Sequence, residues 1–299
     1  MIKRLFNRND NIAILIAGIF SIIIGLGVAR FAFTGLIPAM LDDYLTIKFV
    51  GILASLNFAG YLSGSIFSIF VKDINFKVYL YRFGIFLAIS TTFILAYSDN
   101  NTLWMVGRVL AGFAGAMCLI VGTSIVMQKL TIKSKTKAMG IHFSGIGFSI
   151  LTTDLLARFV LSLNYTWRDS WAVLAVFAII LSLYSVYILS FDKEVKQNAV
   201  KVKFDISIFT PFVIVLIIAY FTEGVGFVVQ ATFLPDIINN LKVLEGYGSL
   251  TFTSVWAAGI TSCIIWMLLA HRFGSSNIII IALLLQAVGI LIPAFSSNI

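Results

Sequence analysis

The chain has 299 residues, of which 60% are apolar and 11% charged, with a net charge of +8; soluble domains average about 45–50% and 25%. That much apolar surface excludes a soluble globular fold. The basic residues are shared among alternate connecting segments instead of forming one patch, which excludes a nucleic-acid face and leaves an all-α integral membrane protein.

Nine stretches hold the roughly 20 apolar residues that a helix needs to cross a bilayer. The first, Asn11–Leu41, follows Lys3, Arg4 and Arg8 as a signal peptide would. Its apolar run is too long for a signal h-region and no small-x-small cleavage site follows, so it reads as a retained helix. It carries Arg30, with Gly27 and Thr34 expected on the same face. The second, Phe49–Val71, holds Asn57 and the close-packing pattern Gly60-x-x-x-Gly64. The third is Val78–Ser98. The fourth, Thr102–Gln128, places Arg108 over a small-residue face of Ala111, Gly112 and Gly115.

The fifth, Ala138–Leu163, has His142 near one end and Asp154 four residues before Arg158, a favourable order for a helical ion pair. The sixth, Ser170–Phe191, closes a first repeat over residues 1–191. A polar linker, 192–205, leads to a second unit, 206–299, with spans Ile206–Pro235, Gly246–Ala270 and Ser275–Ala294. Glu223 lies near the middle of the seventh span, in register with Gly226, Phe227 and Gln230. Cys118 and Cys263 both fall inside spans and read as small apolar residues, with no disulfide or metal framework.

Numbering the loops alternately from an inside N-terminus puts fifteen Lys and Arg inside and only Lys48, Arg168 and Lys242 outside. This asymmetry predicts a multi-pass protein of the cell (inner) membrane with a cytoplasmic N-terminus.

Five charges inside the spans, Arg30, Arg108, Asp154, Arg158 and Glu223, are the strongest functional signal. Each costs about 2.5–3.5 kcal/mol at a helix centre, so they point to a polar, water-accessible interior. Two readings stay open for each. Arg30 and Arg108 either line a cavity or snorkel to headgroups, and Glu223 either works in the cavity or pairs with one of them. Asp154 and Arg158 are an internal ion pair or part of an outer gate. Asn57 and Gln230 either contact substrate or bond between helices. His142 is expected as a satisfied interfacial histidine, with a proton relay as the alternative.

Gly25-x-Gly27, Gly145-x-Gly147 and Gly224-x-Gly226 mimic fragments of a dinucleotide fingerprint, but they sit within membrane helices instead of after a strand. No phosphate-binding Gly-x-x-x-x-Gly-Lys loop and no nucleophile cluster is present, so nothing argues for an enzyme or a cofactor.

The chain also repeats faintly. Gly27 to Pro38 in the first span has a counterpart in Gly224 to Pro235 in the seventh, and the same offset carries Gly51 onto Gly248 and Leu53 onto Leu250. A six-span repeat followed by three spans of a second is expected to be an incomplete copy of a 12-span protein.

On these residues the chain resembles the major facilitator superfamily, and within it the YbfB/YjiJ-like branch. The resemblance is carried by Arg30-Phe-Ala-Phe-Thr-Gly-Leu-Ile-Pro-Ala-Met40, Leu53-Ala-Ser-Leu-Asn-Phe-Ala-Gly-Tyr-Leu-Ser-Gly64, Gly107-Arg-Val-Leu-Ala-Gly112, His142-Phe-Ser-Gly-Ile-Gly147 and Ala231-Thr-Phe-Leu-Pro235. The superfamily's charged loop between spans 2 and 3 is reduced to Lys72, Asp73 and Lys77, while its repeat survives as His271-Arg-Phe-Gly274. The resemblance implies two six-helix halves rocking about a central site lined mainly by spans 1, 4, 7 and 10. It also matches Arg108 to an arginine associated with proton coupling in some antiporters. The expected protein is a monomeric, proton-coupled secondary transporter of a small organic solute, partnered by protons and lipid. A truncated remnant or a membrane sensor or assembly protein is the alternative.

Overall fold

The computed structural model describes residues 2–41, 43–131, 135–191, 208–239 and 248–295, without the side chains of 2–3, 227–237, 239, 248–253, 290 and 292–295. The linker expected over 192–205 lies outside the described residues.

Among the described residues the protein is all helical, with no strand. Nine long helices correspond to the nine predicted spans: α1 Asn11–Leu41, α2 Ile47–Phe70, α3 Ile74–Tyr97, α4 Asn101–Lys129, α5 Lys135–Ser162, α6 Trp167–Ile188, α7 Pro211–Asn239, α8 Gly248–Phe273 and α9 Ser275–Phe295. Over their described residues α1–α6 and α8 are long and apolar enough to cross a bilayer. α7 and α9 contribute the shorter apolar stretches Pro211–Gly226 and Ser275–Gly289.

Several helices start before their apolar runs, because polar caps rather than hydrophobicity set their first turns. Thr46 accepts from the Phe49 N–H (3.3 Å), Asp73 from Phe76 (2.7 Å) and Asn100 from Thr102 and Leu103 (2.9 and 3.2 Å). Thr166 and Asp169 form a capping box at α6. α7 begins at Pro211, later than the hydropathy predicts, since proline suits the first turn and Thr210 caps it. α8 ends at Phe273 with Gly274 at φ +86°, a left-handed residue that terminates the helix.

Two helices are not regular. α1 is a π-helix over Ile23–Phe31 and α4 over Met117–Val121, and π segments occur frequently at functional sites. α5 is interrupted at Ser144.

α1–α6 enclose a common core in which Trp104, Trp171, Tyr81 and Phe33 are almost fully buried. Polar bonds cross it. Tyr81 on α3 hydrogen-bonds to the Ser185 hydroxyl on α6, which donates to the Ala17 carbonyl of α1 (2.9 Å), and Ser21 on α1 donates to the Cys118 carbonyl in the π segment of α4 (2.8 Å). At one end of the bundle three connections clasp one another. The Tyr44 hydroxyl donates to the Asp99 carbonyl (2.8 Å), Trp167 Nε1 donates to Asp43 (2.9 Å) and Arg168 pairs with Asp99.

α8 joins this bundle through α5. The two backbones approach where a Cβ on Gly147 would lie 2.4 Å from the Ile260 nitrogen, so only glycine fits there. α7 packs on α8 and on the Ala32–Leu41 part of α1, and α9 packs on α8.

Candidate substrate site

The site grows from the close crossing of α2 and α4. A Cβ on Gly60 would sit 2.0 Å from the Val109 carbonyl oxygen, and one on Gly112 would sit 1.9 Å from that of Asn57. This backbone contact brings Asn57 and Arg108 together beside the end of the π segment in α1.

Arg108, only 2% exposed, spans three helices. Its Nη1 donates to the Ala29 carbonyl of α1 (3.1 Å), its Nε donates to the Leu53 carbonyl of α2 (3.4 Å), and its guanidinium lies 4.2 Å over the Phe33 ring. Asn57 Nδ2 donates to the Ala29 and Arg108 carbonyls (3.5 and 3.1 Å). These bonds tie α2 to α1 and α4, and burial of both side chains keeps them from competing with water.

Arg30 is held differently. Its guanidinium carbon lies 4.4 Å over Phe58, 5.5 Å from the Phe31 centroid and 5.8 Å from that of Tyr61. These distances are in the range of cation–π attraction. Arg30, Thr34, Asn57, Phe58 and Arg108 line one cavity of about 20 Å³, room for about one water molecule. Gly27, expected on the face of Arg30 and Thr34, turns instead toward Ser149 and Thr153 of α5, 3.0–3.1 Å from its would-be Cβ. The wider π turn changes the angular spacing that a regular helix would impose.

The remaining candidates lie elsewhere. Glu223 is half-buried on α7, where it accepts a hydrogen bond from Gln286 Nε2 of α9 (3.4 Å) beside a cavity of about 190 Å³ lined by Tyr220, Glu223 and Gln286 among others. That cavity shares no lining residue with the one at Arg30. The side chain of Gln230 lies outside the described residues. Asp154 is buried, bonds Arg158 Nε (2.9 Å) and faces Gly35 of α1. His142 is fully buried inside the bundle against Gly18, its Nε2 2.9 Å from the Thr123 hydroxyl. Its Nδ1 is buried with no hydrogen-bond partner among the described residues, so the satisfied histidine expected from the sequence is met at Nε2 alone.

The aromatic faces around Arg30 were not singled out in the sequence. Phe58 and Tyr61 follow Asn57 within one turn of α2, which was the available signal, but among 27 phenylalanines it does not stand out.

Residues 22–299 match the family described as "Uncharacterised MFS-type transporter YbfB". The chain belongs to this family. No curated protein matches it. Membership makes it a multi-pass membrane transporter, as the motifs at Arg30–Met40, Leu53–Gly64 and Gly107–Gly112 imply, and these are the segments that build the Arg30–Asn57–Arg108 site. Where the family member departs from the superfamily's charged loop, its residues have local tasks. Asp73 caps α3, and Lys77 Nζ donates to the Ser124 hydroxyl of α4 (2.9 Å).

Proposed function

We propose that the chain is a secondary transporter that carries a small organic anion by alternating access, coupled to protons. The observation that carries the anion reading is the pair of guanidiniums on one cavity, Arg108 buried and Arg30 half-buried, where charges of one sign accumulate among apolar side chains. Arg30 serves as the contact for the anion. Arg108 braces α1, α2 and α4 around it, since two of its N–H groups are committed to backbone carbonyls. The cavity admits about one water in this conformation, so a solute enters only when the helices part, which is what alternating access requires.

Glu223 is the proton carrier in this reading, exchanging its bond from Gln286 for protonation as its surroundings alternate between dry and wet. The Asp154–Arg158 pair sits at the outer gate, the two halves divide at 192–205, and the lysine-rich loops face the cytoplasm. A cysteine replacing Lys135 should then resist impermeant thiol reagents in intact cells while one replacing Asn100 reacts.

The test is reconstitution into vesicles loaded with a pH-sensitive dye and challenged with sugars, amines and carboxylates. Proton movement should accompany a carboxylate and vanish in Arg30→Gln. Glu223→Gln should lose proton movement yet retain exchange of the carboxylate down its own gradient. Flux of neutral or cationic solutes alone would sink the anion reading, and unchanged proton movement in Glu223→Gln would exclude that residue as carrier.

A further inference from the structure

We propose that His142 is a proton-binding residue of this transporter, and that the proton it takes up releases the Lys135–Phe143 part of α5 to pivot about Ser144. The proposal goes beyond the reading above and depends neither on the solute nor on Glu223.

The ring has a seat made for its neutral form. Its Nε2 meets the Thr123 hydroxyl of α4, while Nδ1 faces Gly18 of α1, where an added Cβ would lie 2.6 Å away. Neutral imidazole carries one N–H, and its Nε2 can either donate to the hydroxyl or accept from it. Imidazolium carries an N–H on both nitrogens, so in this seat one would point at Gly18, where the described residues offer Nδ1 no partner. A buried charge with an unmet donor costs more than a neutral ring, so protonation favours an arrangement in which the ring reaches water. The charged and titratable groups around it are engaged elsewhere. Asp10, ahead of α1, pairs with Arg4, and Arg30 lies over Phe58. On α4, Arg108 reaches the Ala29 and Leu53 carbonyls, Cys118 faces Gly25 and Lys129 donates to the Ser190 carbonyl. Lys77 of α3 donates to Ser124. On α5 itself Lys135 donates to the Met127 carbonyl, Lys137 is exposed and Asp154 bonds Arg158. On α8, Cys263 lies against Gly140, and His271 and Arg272 are exposed in the last turn.

The break in α5 supplies the motion. The Ser144 hydroxyl donates to the Ile141 carbonyl (2.6 Å), a bond of the kind that competes with the helix ladder and bends it. Ahead of the break, Gly140 and His142 are two residues apart, which at 3.6 residues per turn puts them on nearly opposite faces. One face seats the ring between α1 and α4. The other brings Gly140 against α8, where a Cβ would lie 3.0 Å from the Met267 Cβ and 3.2 Å from the Cys263 carbonyl oxygen. A segment that leaves its seat at Gly18 therefore shifts the contact with α8. Past the break, the Gly147 crossing on Ile260 serves as the fulcrum. In the orientation proposed above, the moving part faces the cytoplasm, and a proton from that side loosens α8 from α1–α6 there.

The experiment is hydrogen exchange on the purified chain in detergent at about pH 8 and about pH 5.5, either side of the range in which histidine titrates. Exchange of the Lys135–Phe143 amides is taken relative to that of α6, which removes the pH dependence common to all amides. The ratio should rise about tenfold at the lower pH, the scale set by an unsatisfied buried donor. His142→Gln should stay protected at both pH values. Gly18→Ala, whose Cβ would take the place of the ring, should exchange fast at both. A native ratio that does not change with pH would overturn the proposal, as would a response that survives in His142→Gln. If His142→Gln does not fold, Gly18→Ala decides, and a response equal to that of the native chain would overturn the assignment. If neither folds, replacing the chain's other histidine decides alone: the response should persist in His271→Gln, and its loss would move the proton to α8 and sink the proposal.

Discussion

α1–α6 and α7–α9 are both rich in apolar residues but differ in what their surfaces meet. In the first group, a Cβ added to Gly25, Gly60, Gly64, Gly84 or Gly112 would fall within 2.8 Å of another atom. At Gly224, Gly226 and Gly289 it would meet nothing within 4 Å. Among the described residues, the buried apolar side chains come from the first six helices and their connections, with Ile278 the exception. The difference teaches what holds membrane helices together. Lipid is as apolar as leucine, so hydrophobicity does not drive helix against helix, and small residues and polar bonds decide which faces pack. α1–α6 have both, in the glycine crossings and in the Tyr81–Ser185–Ala17, Ser21–Cys118 and Arg108 bonds. α7–α9 keep large side chains such as Phe212, Phe221 and Leu284 exposed, at no cost where lipid surrounds them.

The sharpest way to break this contrast is Gly112→Leu. Its Cβ would have to displace the Asn57 carbonyl from 1.9 Å, which forces α2 from α4 and should cost about 3 kcal/mol or more. Melting in detergent, followed by size-exclusion profiles, should show loss of the monodisperse species. An unchanged melt would mean that the two helices do not cross so closely.

A smaller effect is expected from Arg108→Lys. The charge is kept, but one ammonium cannot reproduce the fork that reaches the Ala29 and Leu53 carbonyls while lying over Phe33. Stability should fall by about 1–3 kcal/mol, visible as a lowered melting temperature. A melt equal to that of the native chain would remove Arg108 as the brace.

Least affected should be α7. Gly226→Ala adds a Cβ into open space and relieves the helix-propensity penalty, so its melt should be neutral or stabilised by up to about 1 kcal/mol. Glu223→Gln keeps a group able to bond Gln286 and should shift stability by less than about 0.5 kcal/mol. Destabilisation of either comparable to Gly112→Leu would show that α7 packs as tightly as α4 and erase the distinction.

Much of this architecture was legible in the chain. Apolar runs located the nine helices, because crossing a bilayer demands length and hydrophobicity that few residues disguise. The polar caps at Thr46, Asp73, Asn100 and Thr166 moved the starts by a few residues, and the sequence signal for them was present but outweighed by hydropathy. The candidate site was legible in part. Burial cost singled out Arg30 and Arg108, and both line one cavity. The contacts that Arg108 makes with the Ala29 and Leu53 carbonyls were not legible, since they depend on which helices stand opposite. Nor was the π segment in α1, which separates Gly27 from the face of Arg30 and has no residue signature of its own.

By itself, then, the sequence determined that this protein lives in a membrane, where its helices run and which charges are too costly to be accidental. These are properties of local composition measured against a uniform solvent. Only the tertiary structure decided that Arg108 is spent on the Ala29 and Leu53 carbonyls while Arg30 lies among Phe58, Tyr61 and Phe31, that His142 turns inward to Thr123, and that Glu223 faces Gln286. Each of those depends on which helix stands opposite, and in an apolar solvent that choice rests on glycine contacts and single hydrogen bonds between residues far apart in the chain.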